Sequence, residues 1–406
     1  MSVGPKRVLF VATVVKTHIM TFHIPALKMF KEMGYETAVA ARNDYENPED
    51  CQIPYCDQFF DIPFQREPFN YDNFQCYKKL KSIIDEGEFS IVYCHTPVGG
   101  VLGRLAARNL AKKDVRTVYM AHGFHFYKGA PIRNWLLYYP VEKLCSYFTD
   151  ILITINKEDY NLAKKKMKAK AVEYLPGVGI DSEKFGKAVE EKNSIREELG
   201  IPKEDLMMLS VGEVNENKNH KTVIRALSLC ETKNIHYVIA GQGPCVEEHL
   251  SLARQCDVAD RVHFVGYRKD IHELLKESDM FVFPSYREGL SLALTEAMVC
   301  GLPVVASKIR GNTDLIDDEL GGFLCEPTDA KSMAMYIDRL SEDIGLRLKM
   351  GAYNHEKSKK YDSNVIVNKL ITMILGQTKT NDTNIKSEKI QFESKRKETV
   401  GIKIDV

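Results

Sequence analysis

The sequence predicts an α/β protein made of two units, each a mostly parallel sheet covered by helices, with a cleft between them. Three observations carry this. Short apolar runs alternate with helical patterns in both halves of the chain, which is the signature of sheets buried on both faces. A Pro- and Gly-bearing run, YLPGVGIDSEKF, interrupts the alternation near the middle, with Pro176, Gly177 and Gly179 as breakers. The 406 residues, 44% hydrophobic and 28% charged, suffice for two separate cores.

Taken in order, RVLFVATV is the opening strand and FHIPALKMFKEMG the first helix. ETAVAA, FSIVYCH, VRTVYMAH and DILITIN follow as strands, with helices over 99–112 and 157–168. Residues 124–148 are rich in aromatics and read as helical. After the junction come LMMLSVG, a helix after Asn219, HYVIAGQG, a helix after Pro244, VHFVG, a helix over 270–277, and MFVF. PVVAS and GGFLCEP are the last strands, 330–342 is helical, and 344–375 holds two more helices. From Gln377 the chain turns polar and repeatedly basic, the composition of a flexible tail. The division is 1–180, 181–375 and a tail over 376–406.

Bulk charge gives no argument for nucleic acid, because the formal net charge is zero. Residues 1–180 carry 24 Lys and Arg against 19 Asp and Glu, so this half is the side suited to an anionic surface. Arg104 with Arg108, and the cluster Lys164, Lys165, Lys166, Lys168 and Lys170, are either membrane-facing or ordinary solvated helix faces. Ten scattered cysteines without a CxxC pair read as thiols of a reducing, cytoplasmic protein. The N-terminus lacks a small-residue cleavage site, and no apolar run approaches the roughly 20 residues of a membrane span.

Function is read most directly from PSYREGLSLALTEAMVCGLPVVAS. Pro284 stops the strand MFVF, which puts Glu288 in the loop beyond its carboxyl end, where open α/β sheets bind ligands. Ser291–Cys300 has helical spacing and carries Glu296. Such a loop and helix start offer a carboxylate for a diol and backbone N–H groups for a phosphate. The opening strand is followed by VATVVKTHIMTFH, without GxGxxG, and no GxxxxGK[ST] is present. GQGP, with Gly241 and Gly243, is either a tight turn or a ligand contact. No HExxH or comparable ligand spacing points to a metal.

This run, with SVGEVNENKNHKTVIRAL, HYVIAGQGP and VHFVGYRKDI, resembles the donor half of retaining GT-B glycosyltransferases. The likeness is to the large bacterial, family 4-like group that builds exopolysaccharide, capsule and lipopolysaccharide. It covers residues 6–370 and in the first half is carried by FHIPALKMFKEMGYE, HTPVGGVLGRLAAR and MAHGFHFYKG. It implies the GT-B fold: two Rossmann-like domains facing an interdomain cleft, the first on the acceptor side and the second binding a nucleotide sugar. The last helix is expected to cross back to the first domain.

The resemblance also implies roles. Glu288 contacts the donor sugar, Glu296 the ribose, and Gly289, Leu290 and Ser291 supply backbone contacts to sugar and diphosphate. Lys218 binds the diphosphate as charge develops on the leaving group. Many relatives have an arginine five residues before that lysine; here the position is Glu213, which binds ribose or supports Lys218. Arg268 lies near the base or phosphates. His122, ending the strand VRTVYMA, is placed beside the transferring sugar, and His125 is a weaker companion. His95 lines the acceptor side or caps a turn. Thr17 and His18, with Thr21, occupy the first strand-to-helix connection, and His23 is acceptor-facing or packed.

The implied reaction moves a sugar from a nucleotide diphosphate donor, a UDP-sugar, to a growing lipid-linked saccharide, with the enzyme at the inner membrane face. No tightly bound cofactor and no metal are expected. Two alternatives stand: a nucleotide-sugar epimerase on the same fold, and a non-catalytic nucleotide-sugar-binding assembly subunit.

Overall fold

The computed structural model describes residues 6–68, 70–109, 115–186 and 195–376. The 377–406 tail expected to be flexible lies outside them. Two parallel sheets account for the two alternating halves.

The first sheet contains β1 (Arg7–Val14), β2 (Glu36–Arg42), β3 (Gln58–Asp61), β4 (Ile91–His95), β5 (Arg116–Ala121), β6 (Ile151–Thr154) and β7 (Ala171–Tyr174). Their spatial order is β3-β2-β1-β4-β5-β6-β7. β1 alternates Val8, Phe10 and Ala12 toward one face and Leu9 and Val11 toward the other, all fully buried. Each such large side chain contributes about 1.5–3 kcal/mol on leaving water. Helix Ile24–Glu32 covers the first face; helices Asp72–Glu86, Pro97–Ala107 and Lys157–Lys166 cover the second.

The second sheet contains β8 (Leu206–Val211), β9 (Ile235–Ala240), β10 (Val262–Gly266), β11 (Met280–Phe283), β12 (Val304–Ser307) and β13 (Gly322–Cys325), in the order β10-β9-β8-β11-β12-β13. Helices His220–Leu229, Val246–Gln255 and Ala330–Glu342 pack on one face, with Ile271–Glu277 and Leu292–Val299 on the other.

The helix Ser363–Leu375 packs on the first sheet. Ile366, Val367, Leu370, Ile371 and Ile374 belong to the same core as Phe10 and Phe30, and Arg116 donates to the Ile374 carbonyl. The chain therefore crosses between the sheets twice. The crossings are bonded to each other: Ile180 N–H donates to Tyr361 O (3.0 Å) and Ser363 N–H to Ile180 O (2.8 Å).

Several local expectations need correction. QFFD and AVEY are strands β3 and β7, the two edges of the sheet, where none of their residues is fully buried. The 124–148 segment is a loop to Pro131, then the helix Ile132–Ser146, with Pro140 inside it. The helix placed at 99–112 is Pro97–Ala107, and 110–114 lie outside the described residues. Arg104 is neither solvated nor membrane-facing. It is fully buried, donates to Glu142 Oε2 (2.8 Å) and Gly100 O (2.7 Å), and lies 3.7 Å over the Tyr119 ring.

Candidate active site

In each sheet the strand order reverses direction at one point, between β1 and β4 in the first and between β8 and β11 in the second. Ligands bind outside the carboxyl ends of strands at such switch points. The loops after β8 and β11 carry Lys218 and Glu288; the ends of β1, β4 and β5 carry His18, His95 and His122. The two sets meet across one cleft.

The second-domain wall is charged and tightly bonded. Lys218 Nζ lies 2.8 Å from Glu288 Oε1 and 4.6 Å from the Phe283 ring centroid. Asn219, in a left-handed conformation and fully buried, holds this loop by donating to Pro284 O (3.0 Å) and Pro327 O (2.8 Å). Asn217 bonds the neighbouring loop through Arg287 O (3.0 Å). Lys218 therefore reaches Glu288 from a braced backbone. Ser291 caps the helix Leu292–Val299, its hydroxyl accepting from Leu294 N–H (3.4 Å). Glu296 is largely buried in that helix; burial raises its pKa, partly opposed by Lys184.

The first-domain wall is aromatic. His122 ends β5, and its ring lies 4.7 Å from that of His18 and 5.8 Å from that of His95. Burial pushes the His122 pKa down to about 4. Burial, helped by the neighbouring imidazoles, also holds His18, His23 and His95 well below the usual range. All four are neutral rings at neutral pH. His125 stacks on Tyr138 at 4.6 Å, its pKa lowered by burial and by Arg287.

A cavity of about 260 Å³ is lined by His122, Gly123, Phe124 and His125 from the first domain and by Asn217, Arg287, Glu288, Gly289 and Arg310 from the second. At its base the domains touch through backbone. A Cβ on Gly289 would stand 2.0 Å from His122 O, and one on Gly123 would stand 3.4 Å from the Gly289 Cα. Only glycine permits the approach at 289; at 123 a Cβ would fit, and it is the φ of +140° that favours glycine.

Arg310 and Asp159 fix this contact, and the sequence reading missed both. Arg310, just beyond β12, donates to Asp159 Oδ1 (2.5 Å) and to Phe124 O (2.7 Å). The other Asp159 oxygen accepts from Phe124 N–H (2.9 Å) and Asn156 (2.8 Å). The pair thus grips both backbone polar groups of Phe124, two residues after His122. Burial raises the Asp159 pKa against the pull of Arg310. These partners are 151 positions apart, so no local spacing could have announced them.

Other candidates do not line this cavity. Arg268 is committed to Glu198 (2.6 Å) and Asp270 (2.6 Å). Gly241 and Gly243 allow close packing of two loops, since their Cβ atoms would fall 1.8 Å from Gly212 O and 2.2 Å from Val214 O. Glu213 is exposed in the loop after β8. Thr17 is exposed and bonds Asp44 (3.3 Å). Leu290 packs against cores of both domains. His95 caps nothing and lines no open surface; it is fully buried, 3.7 Å ring to ring from His23.

Comparison with known proteins gives concordant results. A family model described as glycosyl transferases group 1 matches residues 191–357. A glycosyl transferase 4-like model matches residues 7–156. The protein EpsD of Bacillus subtilis (strain 168) is 41% identical over 350 residues, covering 85% of this chain and 90% of that one. An Escherichia coli UDP-Gal:alpha-D-GlcNAc-diphosphoundecaprenol alpha-1,3-galactosyltransferase is 31% identical over 290 residues, covering 68% and 74%. The structure of Anabaena Alr3699/HepE with UDP and glucose superposes with a TM-score of 0.77 at 19% identity, over 92% of this chain and 100% of that one.

Proposed function

The chain belongs to the group 1 glycosyltransferases and has the two-domain GT-B fold, and from that premise we propose that it transfers a hexosyl or N-acetylhexosaminyl unit from a UDP-sugar to a lipid-linked saccharide, with retention of configuration. One observation carries this reading: His122 from β5 and the Lys218–Glu288 pair from the second sheet converge on a single cleft.

The residues divide the work. In the free protein Lys218 and Glu288 satisfy each other. An entering diphosphate takes the ammonium, and Glu288 is released to accept from donor-sugar hydroxyls. The N–H groups around Gly289–Ser291 meet the phosphates, and Glu296 accepts from the ribose. As the sugar C1–phosphate oxygen bond breaks, Lys218 stabilises the charge left on UDP. The acceptor hydroxyl attacks C1 from the same face, and its proton passes to the leaving phosphate oxygen. His122, neutral, donates or accepts one hydrogen bond at the sugar and orients it. Protein groups carry the diphosphate charge, so donor binding needs no divalent ion.

The acceptor's lipid supports a peripheral seat on an anionic membrane. Ile132, Leu136 and Leu144 are exposed on the helix Ile132–Ser146, beside Arg133 and Lys143. No helix among the described residues is long and apolar enough to cross a membrane.

A screen of UDP-sugars against undecaprenyl-diphosphate-linked saccharides, read by mass spectrometry, tests the reaction. One donor should add a single sugar with the donor's anomeric configuration by NMR, and Glu288→Gln should abolish most of it. Epimerised donor without acceptor glycosylation, or an inverted product, would overturn the reading.

A further inference from the structure

The ends of β1, β4 and β5, with the turn before Ile24, bring His18, His23, His95 and His122 together beneath the cleft. One ring nitrogen from each lies within 4.8 Å of those of the other three. We propose that these four imidazoles form a binding site for a divalent transition cation of the zinc class.

The rings are gathered for such an ion but must draw together to hold it, because their nitrogens spread over as much as 4.8 Å. With metal–nitrogen bonds of about 2.05 Å, a tetrahedral site has nitrogen–nitrogen edges of about 3.3 Å and ring centroids about 5 Å apart. His18 Nε2 and His23 Nε2 are 3.2 Å apart. Ring centroids are 4.7 Å apart for His18–His122, 5.0 Å for His18–His23, 5.5 Å for His23–His122, and 5.8 Å for His95 with both His18 and His122. His23–His95, at 3.7 Å, is far tighter than this, and one ring must splay for all four to bind.

Unmet hydrogen-bonding capacity points the same way. His95 is fully buried, and neither of its ring nitrogens has a partner; His122 Nε2 is also buried and unpaired. Buried polar atoms in this state are costly and uncommon, and a cation would use those lone pairs. Burial keeps the rings neutral, the form that coordinates. Four nitrogen ligands and no carboxylate favour zinc, cobalt or nickel over magnesium or calcium. Glu142 lines the adjoining cavity with His18 and His122, but its carboxylate is already paired with Arg104.

The site stands apart from the donor chemistry, which uses Lys218 on the opposite wall. Occupancy nevertheless ties down the buried Nε2 of His122 and so restrains the ring that, on the proposed function, orients the sugar. A bound cation therefore acts as a brake on transfer.

Cobalt(II) added to the metal-stripped full chain tests the proposal without any sugar, so it can fail while the transferase reading stands, and the reverse. The expected result is one equivalent bound, with the strong visible bands of tetrahedral cobalt and no thiolate charge-transfer band. His95→Gln and His23→Gln, each checked for native melting, should weaken binding at least about tenfold. If either fails to fold, His18→Gln at the cavity edge serves instead. Weak octahedral bands, a thiolate band, no binding, or unchanged affinity in folded variants would overturn the site. With an acceptor in hand, zinc should slow transfer and a chelator restore it.

Discussion

The two walls of the cleft solve opposite problems. On the second-domain wall, Lys218 and Glu288 are both charged and already bonded to each other, and Asn219 and Asn217 pin their loops. On the first-domain wall, the polar groups are neutral rings, and several of their nitrogens have no partner. On the proposed function, the wall that holds the diphosphate carries charge and gives up an internal ion pair to do so. A wall that must meet hydroxyls without gripping them carries weak, uncharged groups. The contrast separates binding from positioning, and substitutions on either side can break it.

The largest effect is expected on the charged wall. Lys218→Ala should lower transfer about 10³-fold, because a preorganised cation facing the leaving phosphate is lost, and UDP affinity by calorimetry should fall with it. His122→Ala should lower transfer about 10²-fold while UDP affinity stays nearly intact. Loss of affinity and rate together in that variant would erase the distinction between the walls. Arg310→Lys sits between them: it keeps the charge and loses the fork that grips Asp159 and Phe124 O. Transfer should drop about tenfold through misplaced His122, and small-angle scattering should report more open domains at unchanged UDP affinity. The smallest effect is at Glu296, a single carboxylate proposed to meet the ribose. Glu296→Gln should weaken UDP about fivefold, the size of one hydrogen bond, with little change in saturated rate.

What was legible in the sequence follows the same division. The donor wall is built from contiguous runs, a strand end followed by a loop and a helix start, so Glu288, Ser291 and Glu296 could be placed from spacing. The strands with apolar runs were equally plain. QFFD and AVEY were not, because short strands at or near a sheet edge need little apolar sequence. The first-domain wall is assembled from three strand ends and a turn, so its histidines could be named singly but not seen as a cluster. The Arg310–Asp159 grip and the Arg104–Glu142 pair are charges buried by tertiary contact, and a charged residue in sequence reads as solvated by default.

The paired crossings between the domains have a mechanical consequence. A single connecting segment would leave one domain free to swivel in any direction. Here two segments run side by side, joined by hydrogen bonds through Ile180, Tyr361 and Ser363, and Ser182 is bonded to Asp362. Such a ribbon bends readily across its flat side and resists twisting about its length. Any opening of the cleft would thereby be confined to something close to one degree of freedom, a jaw rather than a ball joint, with closure returning His122 to its place against Gly289. A protease that severed one segment would leave the halves tethered by the other while releasing the torsional constraint.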